Sequence, residues 1–143
     1  MAGLDVKFSL RDNKMYQQES FVSRVLIVED DDDIRSTIEE KLKILGFQID
    51  SCNRAENLPP KLNGNPPDII LLDIMLPGKD GKEIARDLKA NSETSSIPII
   101  AVSGTPDIGE PRKYLELGFA DTCPKPINYT DLMMKIARIL GLQ

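Results

Sequence analysis

Asp73 closes a run of four aliphatic residues, Ile69-Ile70-Leu71-Leu72, and is followed by Ile74-Met75-Leu76-Pro77-Gly78-Lys79-Asp80-Gly81. A carboxylate at the carboxyl end of a buried strand stands where the loops of an open α/β sheet gather, so it is placed to be a nucleophile, a metal ligand or both. A second acidic group, Glu29-Asp30-Asp31-Asp32-Asp33, closes the run Val25-Leu26-Ile27-Val28 in the same way. Capping and favouring the positive end of a helix account for two or three of these acids, not all five. If Glu29 and Asp30 approach Asp73, the carboxylates repel one another, and a hard divalent cation, Mg2+ or Mn2+, is the natural remedy. Ser103 and Lys125 follow two further apolar runs and bring a hydroxyl donor and a cation to the same edge. Such a set suits phosphoryl transfer, with Asp73 as the in-line nucleophile that forms an aspartyl phosphate. Singly, Ser103 reads as a helix cap, Lys125 as a solvated charge and Asp73 as a turn former; their shared placement at four strand ends favours the joint reading.

The elements that must position these groups follow from hydrophobic periodicity. Strands β1 (25–28), β3 (69–72) and β4 (97–102) are continuous aliphatic runs, as in a parallel sheet covered on both faces. Strands β2 (47–51) and β5 (119–123) are alternating or weak and belong outside. Ile34, Ile38, Leu42 and Leu45 recur near the helical period and predict a helix ending at Gly46. The second helix, within 54–63, meets Pro59-Pro60 and must be short or start late with a proline in its first turn. Asp80 and Glu83 read as a capping pair for a helix carrying Ile84, Ala85 and Leu88. A fourth helix is expected over 111–117, stopped by Gly118. A fifth starts at the cap Asn128, carries Leu132, Ile136, Ile139 and Leu140, and ends at Gly141. Five strands alternating with five helices predict a doubly wound, flavodoxin-like α/β sheet in the order 2-1-3-4-5, with its crevice between β1 and β3.

Composition narrows the classes further. The 143 residues, 41% hydrophobic and 29% charged, suit one domain with a proper core. A net charge of -5 without a basic cluster argues against a nucleic-acid surface. Cys52 and Cys123 lack CxxC spacing and read as buried free thiols, which fits a reducing cytoplasm. No apolar run approaches a membrane span, and no export leader is visible. Residues 1–23 read as a polar arm or linker, although Val6, Phe8 and Leu10 alternate as in a short strand.

Residues 25–140 resemble the receiver domain of two-component response regulators, the CheY-like family. The likeness rests on Glu29-Asp30, Asp73 with Met75-Leu76-Pro77 and Asp80-Gly81, Ser103, and Lys125-Pro126. It implies that Asp73 is the phosphoacceptor, that Asp30 binds Mg2+ directly with Glu29 acting through water, and that the Met75 backbone carbonyl is a metal ligand. Ser103 and Lys125 would contact the phosphoryl group, and Pro126 would follow a cis peptide bond. Met75 and Thr105 fall where the family tunes the lifetime of the phosphoryl group, and an apolar Met75 implies slow self-dephosphorylation. Thr122 occupies the switch position where the family often has Tyr or Phe, which leaves the usual aromatic reporter missing.

By the same resemblance, a histidine kinase or a histidine phosphotransfer protein supplies the phosphoryl group. The response reaches a protein target through the surface of the fourth helix, fifth strand and fifth helix, the α4-β5-α5 face. With no histidine in the chain, the donor is another protein or a small acyl phosphate. The chain is expected to be a stand-alone receiver or a piece of a larger regulator or hybrid kinase. Two rivals remain: a receiver that is never phosphorylated and acts only as a docking module, and an aspartate-nucleophile phosphatase. The phosphatase requires a second Asp two residues after the first, where Met75 stands.

Overall fold

The computed structural model of the protein describes residues 22–142. The aliphatic runs form strands β1 (Arg24–Val28), β3 (Ile69–Asp73) and β4 (Ile99–Ser103), flanked by β2 (Gln48–Cys52) and β5 (Asp121–Pro124). All neighbours pair in parallel, in the order β2-β1-β3-β4-β5. The expected sheet and strand order are therefore present, with the two weak strands at the edges.

Alternate residues of the central strands enter two separate cores. Leu26, Val28, Ile70, Leu72, Ile99 and Ala101 pack with Ile84, Ala85 and Leu88 of helix α3 (Gly81–Ala90) and with Tyr114 of helix α4 (Pro111–Glu116). Val25, Ile27, Ile69, Leu71, Ile100 and Val102 face Ile38 and Leu42 of helix α1 (Asp32–Ile44), and Leu132 and Ile136 of helix α5 (Tyr129–Leu140). Burial on both faces explains why these strands are uninterrupted apolar runs, each side chain worth roughly 1.5–3 kcal/mol.

The helix ends follow the expected chemistry. Asp31 caps α1 by accepting from the Ile34 N–H, Asp80 caps α3 through the Lys82 N–H, and Asn128 caps α5 through the Asp131 N–H. Gly141 ends α5 in the left-handed conformation at φ 71°. Helix α2 (Pro59–Leu62) is a single turn with its prolines at the start, behind a 3-10 turn at Ala55–Asn57.

Several details differ from expectation, among them β2, which runs Gln48–Cys52 rather than 47–51, and α4, which ends at Glu116. Leu45 lies past the end of α1 and is exposed, because the helix stops at Ile44 and its stripe ends at Leu42. Strand β4 starts at Ile99; the Pro98 carbonyl before it still accepts from the Ile70 N–H at 3.0 Å. Strand β5 starts at Asp121, since Phe119 turns into the core edge-on to Tyr114, with ring centroids 5.5 Å apart. The polar arm expected over 1–23, with its alternating Val6, Phe8 and Leu10, lies outside the described residues apart from Val22 and Ser23. Among the described residues no helix is long and apolar enough to cross a membrane.

Candidate functional site

Register brings the four strand ends together. Val28 pairs with Leu72, Asp73 with Val102, and Ser103 with Pro124, so Glu29, Asp73, Ser103 and Lys125 all stand at one edge of the sheet. Glu29 and Asp73 are nearly inaccessible, at 1% and 2% exposure, whereas Asp30 is exposed. One oxygen from each of these three carboxylates lies within 4.8 Å of the others.

The Lys125 ammonium sits between the two buried acids, with Nζ 2.9 Å from Glu29 Oε1 and 3.5 Å from Asp73 Oδ2. Its backbone N–H donates to the Ser103 carbonyl at 2.8 Å, tying the loop after β5 to the end of β4. Burial pushes the Glu29 carboxyl up to about 7, Lys125 opposes that rise, and the Asp73 carboxylate adds to it. Burial alone would lower the Lys125 ammonium, but Glu29 and Asp73 outweigh it and hold the group above its usual value.

Asp73 Oδ1 accepts from the Met75 N–H at 3.0 Å, and Glu29 Oε2 from the Asp31 N–H at 3.2 Å. Glu29 Oε1 is buried and makes no well-directed hydrogen bond despite its closeness to Lys125. A buried oxygen in that state, beside two further carboxylates and no softer donor, fits a hard cation such as Mg2+. The residues present therefore suit the metal that the chemistry calls for.

The Asp80-Gly81 motif has a steric basis. A Cβ on Gly81 would stand 2.7 Å from both the Asp73 carbonyl oxygen and Ile74 Cα, and the Gly81 N–H donates to the Ile74 carbonyl at 3.0 Å. The backbone of α3 thus abuts the strand end that carries Asp73. Met75, in the intervening loop, is exposed at the mouth of the site. The Lys125–Pro126 peptide bond is cis.

Ser103 is fully buried, and its Oγ lies 2.8 Å from Thr105 Oγ1 while accepting from the Thr105 N–H at 3.0 Å. Thr105 Oγ1 in turn donates to Asp107 Oδ1 at 2.7 Å, and the Tyr114 hydroxyl donates to the same oxygen at 2.9 Å. Lys82 Nζ meets Asp107 Oδ2 at 3.1 Å and lies 5.2 Å from the Tyr114 ring centroid. Hydrogen bonds from Thr105, Tyr114 and Lys82 hold the Asp107 carboxyl down to about 2. Asp107, Tyr114 and Lys82 carry no motif spacing, and only the fold joins them to Thr105. Thr122 is buried in β5, its carbonyl accepting from Lys135 Nζ at 2.7 Å, and its side chain offers no aromatic ring.

The sequence profile of the family described as "Response regulator receiver domain" matches residues 25–137. The chain belongs to that family. This receiver domain is similar to the phosphate regulon transcriptional regulatory protein PhoB of Pseudomonas aeruginosa, at 33% identity over 81% of the chain and 51% of that protein. It is 30% identical to PhoB of Rhizobium meliloti, over 82% of the chain and 52% of that protein. The chain spans about half the length of the curated relatives it matches. Among solved structures, the receiver domain of sensor histidine kinase PA1611 from Pseudomonas aeruginosa, with magnesium coordinated in its active site cleft, is 27% identical. It aligns with a TM-score of 0.73 over 84% of this chain and 98% of that one. The signal receiver domain of a DNA binding response regulator from Colwellia psychrerythraea is 26% identical, with a TM-score of 0.76 over 83% of this chain and 98% of that one. Receiver domains are signalling modules rather than metabolic enzymes.

Proposed function

We propose that this receiver domain accepts a phosphoryl group on Asp73 from a histidine kinase or a histidine phosphotransfer protein, in a Mg2+-dependent reaction, and thereby switches a protein-binding surface. The observation that carries the reading is the convergence of Glu29, Asp30 and Asp73 oxygens within 4.8 Å, with Lys125 Nζ 3.5 Å from Asp73 Oδ2. An Asp73 oxygen attacks phosphorus in line, the donor's P–N bond (P–O for an acyl phosphate) breaks, and its electron pair leaves with the donor. Lys125 and Ser103 are the residues to meet the phosphoryl oxygens, which carry the charge that must be offset. Glu29, Asp30, Asp73 and the Met75 carbonyl would hold Mg2+, whose positive charge supplements that of Lys125.

The downstream contact is assigned to the α4-β5-α5 face, with no membrane or nucleic acid bound by this domain. The net charge of -5 supports the latter. The buried free thiols Cys52 and Cys123 suit a cytoplasmic setting. The reading is tested by Mg2+-dependent labelling with acetyl phosphate, followed as a phosphoryl increment in intact mass. The chain should label and Asp73→Asn should not. An unlabelled parent chain would leave the docking-module reading standing instead.

A further inference from the structure

Proton counting in the chain of hydroxyls beyond Ser103 leads past that reading. Thr105 has one hydroxyl proton, and the 2.7 Å contact commits it to Asp107 Oδ1, because a carboxylate can only accept. The 2.8 Å contact between Thr105 Oγ1 and Ser103 Oγ therefore has Ser103 as its donor. Ser103 spends its only proton on Thr105, and its oxygen also accepts the Thr105 N–H at 3.0 Å. The hydroxyl assigned to the phosphoryl group is thus held within the β4–α4 loop. The hold is anchored at Asp107, where the hydroxyls of Thr105 and Tyr114 share one oxygen and Lys82 takes the other.

We propose that Asp107 and Tyr114 are positioning residues: through Thr105 they keep the Ser103 hydroxyl engaged within the β4–α4 loop, and they report the arrival of a phosphoryl group when Ser103 lets go. For Ser103 to donate to a phosphoryl oxygen, its bond to Thr105 must break. Thr105 then loses the donor that polarised its own hydroxyl, which weakens its grip on Asp107, since linked hydrogen bonds reinforce one another. The change reaches α4 through Tyr114, a fully buried ring against Phe119, and α3 through Lys82. Tyr114 so supplies, from α4, an aromatic reporter that Thr122 on β5 cannot provide.

This inference rests on Asp73 being the phosphoacceptor, and the test separates the two. The chain has three tyrosines and no tryptophan, so Tyr16→Phe with Tyr129→Phe leaves Tyr114 as the sole fluorophore. A phenol hydrogen-bonded to a carboxylate is quenched. Thr105 and Tyr114 compete for Asp107 Oδ1, so a weaker Thr105 bond strengthens the Tyr114 bond. On labelling with acetyl phosphate and Mg2+, Tyr114 emission should therefore fall in proportion to the phosphorylated fraction read by mass. In Asp107→Asn, labelling should be faster, about threefold, as expected for loosening one hydrogen bond, and the emission step should vanish. Full labelling with unchanged Tyr114 emission would overturn the relay alone. Absence of labelling would overturn the phosphoacceptor reading and the relay with it. The emission measurement keeps Asp107 intact, so it decides the matter even if Asp107→Asn does not fold.

Discussion

Lys125 and Glu29 form the closest charge pair in the site, Nζ to Oε1 at 2.9 Å, and Asp73 competes for the same ammonium at 3.5 Å. One cation therefore serves two buried carboxylates. Replacing it by an isosteric apolar side chain, Lys125→Met, leaves both acids without that partner. A buried charged acceptor left unsatisfied costs at least about 1–3 kcal/mol, and Glu29 can limit the loss by taking up a proton. The expected result is a clear fall in the urea midpoint in EDTA. Labelling of Asp73 should fall by about 100-fold or more, the usual effect of deleting one stabilising donor. A variant that labels at the parent rate would remove Lys125 from the chemistry.

Metal binding should show as stability before any phosphoryl group is supplied. On the proposed reading Mg2+ binds the folded chain and not the unfolded one, so at about 100 times its dissociation constant it should add about 2.7 kcal/mol. The parent chain should show this gain in thermal unfolding with Mg2+ against EDTA. Asp30→Asn should lose it, and because Asp30 is exposed its stability in EDTA should be close to that of the parent. An equal Mg2+ response in both proteins would place the ion elsewhere.

Asp107 makes an acid-range prediction with a definite sign. Its folded value is about 2, against roughly 3.9 for an unfolded chain. A depressed carboxyl contributes stability that is fully present above about pH 4 and is lost as pH falls toward 2. Urea midpoints measured at pH 5 and pH 2.5 should therefore fall less in Asp107→Asn than in the parent. Equal slopes would mean that the bonds from Thr105, Tyr114 and Lys82 do not select the ionised form.

Met75 stands two residues after Asp73, the proposed phosphoacceptor, and is exposed; its apolar side chain does not orient a water. The phosphorylated chain should therefore persist for minutes or longer without a phosphatase. Met75→Asn, which adds a hydrogen-bonding group at the same place, should shorten that lifetime several-fold. A half-life of seconds for the parent chain would show that water is aligned without help from this side chain.

Strand order and the main site were legible because buried parallel strands write themselves as unbroken aliphatic runs. Each of these candidate site residues sits where such a run stops: Glu29 after Val28, Asp73 after Leu72, Ser103 after Val102. Lys125 was legible only through its place after a weak strand and beside Pro126. The Asp107–Tyr114 node was not legible, since its partners come from α3, the β4–α4 loop and α4 at no fixed spacing. Leu45 misled for the opposite reason: its spacing fits the stripe of α1, but the helix has ended before reaching it.

Gly81 tests whether the close approach of α3 to the strand end is required. Its φ is not in the left-handed region, so an alanine there meets no backbone strain; the obstacle is contact with Asp73 O and Ile74 Cα at 2.7 Å. Both are backbone atoms and cannot rotate aside. Overpacking of this kind costs about 1–3 kcal/mol, which exceeds the gain of up to about 1 kcal/mol from alanine's better helix propensity. Gly81→Ala should therefore lower stability, and it should slow Asp73 labelling because the displaced backbone carries the loop through Met75. Gly109→Ala is the matched control, with nothing within 4 Å of its added methyl. If the two variants behave alike, the glycine of the Asp-Gly pair is not there to let α3 close on Asp73, and the loop geometry must have another cause.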